Sequence, residues 1–193
     1  MGVANQFDPN SFRDSSTYRD QQTTKMTIIE TERLKIRFIV DEDIQVLLKI
    51  YNKPENMQYV SSGKFIWIDL ELIEKYKRAN KDYDRGIGIF AFELKDKKET
   101  IGEAGLFNSF SNPEKLELGY IIDSSFWKKG YGQEICKGLM DYSFGKLQIK
   151  KMVARMYADN INSVELSRKC GMKEIEDGLA ENGKRFLVFE IEK

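Results

Sequence analysis

The sequence predicts an α/β (α+β) domain with a mixed, largely antiparallel central sheet flanked by helices. Three strand-like runs joined by short polar turns lie in the middle of the chain, a pattern typical of an antiparallel meander. After them, helical and strand periodicities alternate, which is typical of a sheet with helices packed on its faces. No internal repeat interrupts this order.

Length and charge limit the class of protein. The chain has 193 residues, enough for one domain with a sizeable core. Residues 1–25 are polar and show no periodicity, so we predict a flexible N-terminal tail followed by one folded domain over residues 26–193. The 31 basic and 31 acidic side chains cancel, and no apolar run approaches the roughly 20 residues of a membrane span. We therefore expect a cytoplasmic monomer or homodimer with no nucleic-acid or membrane partner.

The first half of the domain is predicted to hold one strand, two helices and the meander. Residues 32–38 alternate between apolar and charged side chains, the period of a half-buried strand. Apolar residues recur at helical spacing over residues 44–51, where Asp41 can cap the helix, and again over 69–79. The strands of the meander are predicted at residues 88–94, 100–107 and 116–123. Three aromatic residues between the two helices either line a substrate pocket or pack in the core, namely Tyr59, Phe65 and Trp67.

The second half of the domain is predicted to alternate between helices and strands. An amphipathic helix covers residues 130–144, and a strand follows at 151–157. The next helix, over 162–170, ends at Gly171. Strands at 173–176 and 185–192 are joined by a turn at Asn182 and Gly183. Both cysteines, Cys136 and Cys170, fall on apolar positions of these helices and are predicted to be reduced core thiols.

The absence of histidine restricts the chemistry. It excludes Ser-His-Asp and Cys-His machinery, and with two cysteines it leaves little for a metal site, so no metal is expected. Any reaction must use carboxylates, hydroxyls and backbone groups.

A strand, a loop containing Gly130 and Gly132, and a helix form the most informative segment. Main-chain N–H groups that converge at a helix start form an anion site. The loop lacks the Gly-Lys-Ser or Gly-Lys-Thr of a P-loop and the third glycine of a dinucleotide fingerprint. Two glycines alone are more often typical of an ordinary tight connection.

Several motifs together resemble a known family. They are Glu117-Leu-Gly-Tyr120, Phe126-Trp127 with Lys129-Gly-Tyr-Gly132, and Asn160-Ile-Asn-Ser163 running to Lys169-Cys-Gly-Met172. In this order they resemble the GNAT superfamily of N-acetyltransferases, in particular its RimJ/RimL-like branch, over about residues 27–193. Trp127 stands where Gln or Arg is usual in the superfamily, and Ser167 stands where many members have a tyrosine acid.

The resemblance implies the GNAT acyl-CoA N-acyltransferase fold and acetyl-CoA as cosubstrate. It implies that the strand ending at Ile121 and Ile122 diverges from the strand at 151–157, with the pantetheine arm between them. The pyrophosphate would then meet the main-chain N–H groups of a short segment, namely Lys128, Lys129, Gly130, Tyr131, Gly132 and Gln133. Asn160 and Ser163 would contact the cofactor from the next helix start, where Asn160 also has an ordinary capping role.

Transfer needs a base and an acid. A free amine near pKa 10.4 is mostly protonated at neutral pH, so a carboxylate must remove a proton. Glu103 and Glu117 are the candidates, with Glu103 preferred, although either could simply face solvent. A backbone N–H near Ile121 is the candidate for the oxyanion, and Ser163, with Ser167 behind it, for giving the thiol its proton.

The acceptor class stays open. The leading expectation is an N-acetyltransferase that acetylates a primary amine, with a protein N-terminus as the first candidate. A polyamine, an aminoglycoside or an amino acid is the small-molecule alternative. A non-catalytic acyl-CoA-binding module is the third interpretation, since the usual tyrosine acid is absent.

Overall fold

The structure, a computed structural model, describes residues 26–193 except residues 61–63, 65, 110–111 and 113. The predicted tail and Phe65 therefore lie outside the described residues. Within the described part, no helix is long and apolar enough to cross a membrane.

Eight strands and five α-helices follow one another in the described chain. The elements before the glycine loop are β1 (Thr27–Glu30), β2 (Leu34–Arg37), α1 (Ile44–Tyr51), α2 (Pro54–Met57), α3 (Asp69–Ala79), β3 (Gly88–Leu94), β4 (Glu99–Phe107) and β5 (Lys115–Ile122). Those after it are α4 (Tyr131–Gly145), β6 (Lys151–Tyr157), α5 (Ile161–Lys169), β7 (Lys173–Leu179) and β8 (Arg185–Glu192).

The strands form one sheet in the order β1-β2-β3-β4-β5-β6-β8-β7. Every neighbouring pair is antiparallel except β5 and β6, which are parallel. The predicted mixed, largely antiparallel class is confirmed. The meander is formed by β3, β4 and β5, and the alternating half of the chain supplies the parallel neighbour and the last hairpin.

Two apolar clusters cover the faces of the sheet. The larger one packs α4 and α5 against the sheet and includes Leu118, Ile122 and Leu139. The smaller one packs α1 and α3 against the other face and includes Leu47, Leu72 and Ala91. Alternate residues of a strand point to opposite faces, so β5 sends Leu118, Tyr120 and Ile122 to the first cluster and Ile121 to the second. This alternation decides what each residue of β5 can touch.

A fully buried ion-pair network anchors the start of the fold. The Arg37 guanidinium is 1% exposed and pairs with Asp43 at 2.7 Å and Glu93 at 2.8 Å. Burial by itself raises the pKa of Asp43, but hydrogen bonds from Arg37 and from the Val40 N–H outweigh it and lower the pKa below its usual value. Asp43 therefore holds the chain before α1. Asp41, the predicted cap, makes no capping bond because it lies in a short 3-10 turn ahead of the helix.

Three elements differ from prediction. Strand β1 was not predicted, because its four residues are mostly half-buried and show no alternation of buried and exposed positions. Helix α2 is one turn that starts at Pro54, and no periodicity predicts it. Strand β7 continues to Leu179 because its pairing with β8 extends to Arg185, although its side chains are mostly exposed and show no hydrophobic period.

Candidate cofactor and catalytic site

The site lies where two parallel neighbours separate. Strands β5 and β6 pair only at their first residues, through Lys115–Lys151, Leu116–Met152 and Glu117–Val153. Farther on, β5 remains paired with β4 up to Ile122, and β6 remains paired with β8 up to Tyr157. The sheet therefore opens into a wedge between residues 118–122 and 154–157, with unpaired strand edges facing each other.

A cavity of about 520 Å³ occupies this wedge. Its size is within the range of small-molecule sites. Its walls come from the second part of β5, the loop that follows β5, the first turns of α4 and α5, and the α2 segment. Since α4 and α5 cover one face of the sheet and α2 adjoins the other, the lining residues come from both faces.

The loop between β5 and α4 presents a row of free donors. Lys128 has φ +60° and Gly130 has φ +83°, so two residues in the left-handed region turn the chain into α4. Within the described residues, no hydrogen bond uses the main-chain N–H of any residue from 128 to 133. The first turn of a helix also carries the positive end of its dipole, so this row forms an anion site.

Side chains outside the loop hold it in place. The Arg33 guanidinium donates to the Lys129 carbonyl at 2.9 Å, pairs with Glu134 at 2.7 Å and lies 4.4 Å from the centre of the Tyr131 ring. Burial alone would raise the pKa of Glu134, but hydrogen bonds from Thr31 and Arg33 lower it. A carboxylate near the start of α4 is thus neutralised by Arg33 rather than left to repel an anion.

Most of the predicted cofactor residues line the cavity. They are Ile121, Ile122, Lys128, Gly130, Tyr131, Gly132, Gln133, Asn160 and Ser163. Lys129 does not line it, because its ammonium donates to the Ser125 carbonyl at 3.0 Å and lies over the Phe126 ring. Asn160 caps α5, where its Oδ1 accepts from the Ser163 N–H at 3.3 Å.

The other end of the cavity is formed by the α2 segment, which is tied to the end of β5. The Lys53 ammonium pairs with Asp123 at 2.7 Å, and Asn56 Oδ1 accepts from the Ser124 N–H at 2.9 Å. Glu55, Gln58 and Tyr59 line this end, so Tyr59 belongs to the cavity wall. Trp67 instead packs edge-on against Tyr51, with ring centres 5.1 Å apart.

Glu103 and Glu117 do not line the cavity. Glu103 is buried on the sheet face covered by α1 and α3, where it accepts from the hydroxyls of Tyr51 and Tyr76 and pairs with the Lys75 ammonium at 2.7 Å. Burial, with the Glu103 charge, raises the pKa of both tyrosines well above the usual value. A carboxylate with three donors and no access to the cavity is poorly placed to accept a proton from a substrate.

The thiols of Cys136 and Cys170 are free and adjacent. Cys136 is buried in the cavity wall, and Cys170 at the end of α5 is partly exposed. The hydrogen bond between them and burial raise the pKa of Cys136, while the same bond lowers that of Cys170. The described residues thus place two reduced thiols behind the wedge.

A family model described as an acetyltransferase (GNAT) domain matches residues 33–173. The chain belongs to the GNAT acetyltransferases. Among curated relatives, the uncharacterized protein YkkB from Bacillus subtilis is 29% identical over 150 residues, which cover 76% of this chain and 85% of YkkB.

Solved GNAT structures share this fold. The spermidine N-acetyltransferase from Vibrio cholerae, in complex with CoA and spermine, superposes with a TM-score of 0.72 at 22% identity over 83% of this chain and 95% of that one. RimL, the ribosomal L7/L12 alpha-N-protein acetyltransferase in complex with coenzyme A, superposes with a TM-score of 0.76 at 15% identity over 86% of this chain and 98% of that one. At these identities the likeness shows the fold.

Sequence reasoning missed several site residues. Thr31 and Arg33, in the turn between β1 and β2, hold Glu134 and the loop from about 100 positions away, and only tertiary structure brings them there. Glu55 lies in the single turn of α2 and Gln58 directly after it, where no periodicity marks them. Tyr120 was part of a motif but had no assigned role.

Proposed function

We propose that the protein is an acetyl-CoA-dependent N-acetyltransferase that acetylates a primary amine. The observation that carries this proposal is the wedge between β5 and β6, closed at one end by the free N–H groups of residues 128–133. An extended arm can add to the unpaired strand edges, and a pyrophosphate can accept from the loop. The motifs and the presence of RimL among structures of the same fold support placement in the RimJ/RimL-like branch.

The residues present fit coenzyme A. A Cβ added at Gly132 would lie 2.9 Å from Leu166 Cδ1 and would fill part of the cradle, so only glycine leaves this space open. A charge-assisted hydrogen bond contributes roughly 1.5–3 kcal/mol, so a few of the loop donors suffice for micromolar binding without a metal. Gln133 and Asn160 add side-chain amides to the same wall.

The thioester supplies an activated acetyl group, and the protein must handle two protons. For the amine, we place Glu55 as the accepting carboxylate, in preference to Glu103 or Glu117, because it lines the cavity at the α2 end and is exposed. The only described hydrogen bond to its carboxylate comes from the Ser124 hydroxyl at 3.2 Å, so lone pairs stay available. A neutral amine then attacks the acetyl carbon.

For the departing sulfur, we place Ser163 as the donor that passes its hydroxyl proton to the thiolate and takes a proton back from solvent in the cavity. Ser163 lies in the first turn of α5, lines the cavity and faces the wedge from the side opposite α2. The Ser167 hydroxyl lies 3.7 Å from Met156 Sδ and is nearly fully buried, so it is less available than Ser163.

The acceptor class can be tested by a screen. Purified protein is incubated with acetyl-CoA and with N-terminal peptides, polyamines, aminoglycosides or amino acids, and free thiol is measured. We expect thiol release with one amine class, a protein N-terminus being the first candidate and a polyamine the second. Tight acetyl-CoA binding with no release for any amine would instead support a non-catalytic acyl-CoA-binding module.

Glu55 has its own test, independent of the acceptor. Glu55→Gln should lower kcat/KM at neutral pH by about 100-fold or more, with a smaller loss at high pH where the amine is already neutral. Glu165→Gln is the matched control, since Glu165 also lines the cavity but already pairs with Arg168. Equal, pH-independent effects in the two variants would reject Glu55 as the base.

A further inference from the structure

Arg155 is a cation in the cavity wall that the chemistry above leaves without a role. Its neighbours on β6, Ala154 and Met156, pack into the larger apolar cluster, so the Arg155 side chain points to the opposite face of the sheet. That is the face of the smaller cluster, to which α2 contributes Met57. Arg155 is exposed and therefore reaches the cavity from the same face as α2.

The guanidinium of Arg155 is positioned by an aromatic ring and has no anionic partner. It lies 5.0 Å from the centre of the Phe186 ring on the neighbouring strand β8. That ring lies against Gly178 of β7, where an added Cβ would come within 2.7 Å of Phe186 Cζ. Within the described part of the chain, the guanidinium takes part in no ion pair or hydrogen bond. Its N–H donors can therefore bind an anion from the cavity.

The cofactor phosphates are not the expected anion, because their proposed donors lie elsewhere. The pyrophosphate site is the row of N–H groups at residues 128–133, and two further lysines of the cavity wall, Lys128 and Lys169, lie in that loop and at the end of α5. The helices α4 and α5 cover the face opposite to Arg155.

Arg155 and Glu55 instead flank the wedge from its two sides. Arg155 lies on β6, whereas Glu55 lies on α2, which hydrogen bonds to Ser124 tie to the end of β5. An acceptor that enters between them meets a carboxylate on one side and a guanidinium on the other.

We propose that Arg155 is a specificity-determining residue that binds a carboxylate of the acceptor, so that the acceptor is an amine that also carries an acidic group. This inference rests on the proposed function, in which Glu55 takes the proton of the amine. A guanidinium binds a carboxylate through two parallel hydrogen bonds, which select both its charge and its orientation. The carboxylate comes either from a free amino acid or from an acidic side chain close to a peptide N-terminus. A polyamine has no such group and is repelled by Arg155.

The test compares acceptors that differ only in the carboxylate. Thiol release from acetyl-CoA by the full chain is measured with amino acids and their amides, with C-terminally amidated peptides that carry Glu or Gln after the N-terminal residue, and with a polyamine. We expect kcat/KM to be about 10-fold or more higher for the carboxylate-bearing member of one pair, since the charge-assisted bonds are partly screened at an exposed site. The pair that shows this difference identifies the source of the carboxylate.

Variants show whether Arg155 causes the preference. Arg155→Gln should lower kcat/KM about 10-fold for the carboxylate-bearing acceptor, mainly through KM, and less than about 2-fold for its neutral partner. Because each acceptor is compared between wild type and variant, differences in amine pKa within a pair cancel. Arg155→Lys keeps the charge without the planar fork and should fall between wild type and Arg155→Gln.

Lys184→Gln is the matched control. Lys184 is an exposed cation that lies 5.0 Å from the centre of the Tyr157 ring, next to β8, but it does not line the cavity. It should leave the preference at its wild-type value. The KM for acetyl-CoA should stay within about 2-fold of wild type in every variant, and thermal melting checks that each is folded.

Failure of the inference and failure of the proposed function give different results. If amines are acetylated but Arg155→Gln affects both members of every pair equally, or if the polyamine is acetylated faster than every carboxylate-bearing acceptor, Arg155 does not select the acceptor. A KM for acetyl-CoA raised about 10-fold in Arg155→Gln would assign Arg155 to the cofactor instead. If no amine releases thiol although calorimetry shows acetyl-CoA binding, the proposed function itself fails, and the inference fails with it.

Discussion

Replacing Gly132 by alanine places one methyl group in the wall between the glycine loop and α5. The new Cβ would lie 2.9 Å from Leu166 Cδ1, 3.6 Å from Ile122 Cδ1 and 3.8 Å from Tyr120 Cε2. The backbone at Gly132 is not left-handed, so alanine fits the local conformation. Leu166 can move aside because the contact is with the end of a flexible side chain. The fold should therefore tolerate the change.

The cofactor should not tolerate it. The methyl group would narrow the cavity where Ile122, Leu166 and Tyr120 line it beside Gly132, and we expect it to shift the bound cofactor away from at least one loop N–H. Loss of one charge-assisted hydrogen bond costs about 1.5–3 kcal/mol, which corresponds to an affinity for acetyl-CoA lower by about 10-fold or more. Alanine also favours a helix over glycine by up to about 1 kcal/mol, so the free energy of unfolding should stay the same or rise slightly.

Gly145→Ala is the control, since Gly145 belongs to the same helix and a Cβ there meets nothing within 4 Å. Isothermal titration with acetyl-CoA measures affinity, and urea unfolding measures stability. Gly145→Ala should keep the wild-type affinity. A dissociation constant for Gly132→Ala within about 2-fold of wild type, in a folded protein, would refute a cofactor cradle at this loop.

Three further substitutions or conditions test the supporting contacts. Arg33→Met should weaken acetyl-CoA binding by about 3- to 5-fold with little change in melting temperature, because the ion pair that it removes is partly exposed. Arg185→Met, which removes an exposed ion pair far from the loop, should leave acetyl-CoA binding unchanged. Equal effects of the two substitutions on binding would contradict the role of Arg33. Glu103→Gln should lower the free energy of unfolding by about 1–3 kcal/mol and leave kcat within about 3-fold, whereas a 100-fold loss that recovers at high pH would make Glu103 the base. The pKa of Asp43 is lowered in the folded protein, so its ionised carboxylate stabilises the fold at pH values above its unfolded-state pKa of about 4. This stabilisation is lost as the pH falls through the lower folded-state pKa. Urea unfolding should show stability falling below about pH 4, and a constant stability down to pH 2.5 would contradict this.

Periodicity predicted the parts of the fold that are regular. The meander, the strand at 151–157 and the helices α3, α4 and α5 agree with their predicted positions to within one or two residues. The helices bury one face, so their apolar residues repeat at the helical period, and the central strands β3 and β4 are nearly continuous buried runs bounded by polar turns. Strand β1 and helix α2 have four residues each, which is too short to show such a repeat. Their positions depend on the elements that they pack against.

The site also has one part that local sequence pattern predicts and one part that it does not. A glycine-containing turn at a helix start predicts unpaired N–H groups, but the assignment of Lys128 to Gln133 to a pyrophosphate came from the family resemblance. The surroundings of Glu103 were not, since the identities of Tyr51, Lys75 and Tyr76 do not reveal that they converge on one carboxylate. The packing of helices against the sheet, rather than local pattern, decides which carboxylate reaches the cavity.

Hydrogen–deuterium exchange with and without acetyl-CoA tests the central claim, that the cofactor lies in the wedge with its pyrophosphate on the loop. Amides without an acceptor in the free protein exchange quickly, and those at residues 128–133 should slow markedly when acetyl-CoA binds. Amides of the β3–β4 hairpin, already paired within the sheet, should change little. Unchanged exchange at residues 128–133 under saturating acetyl-CoA, with protection appearing elsewhere, would contradict the account.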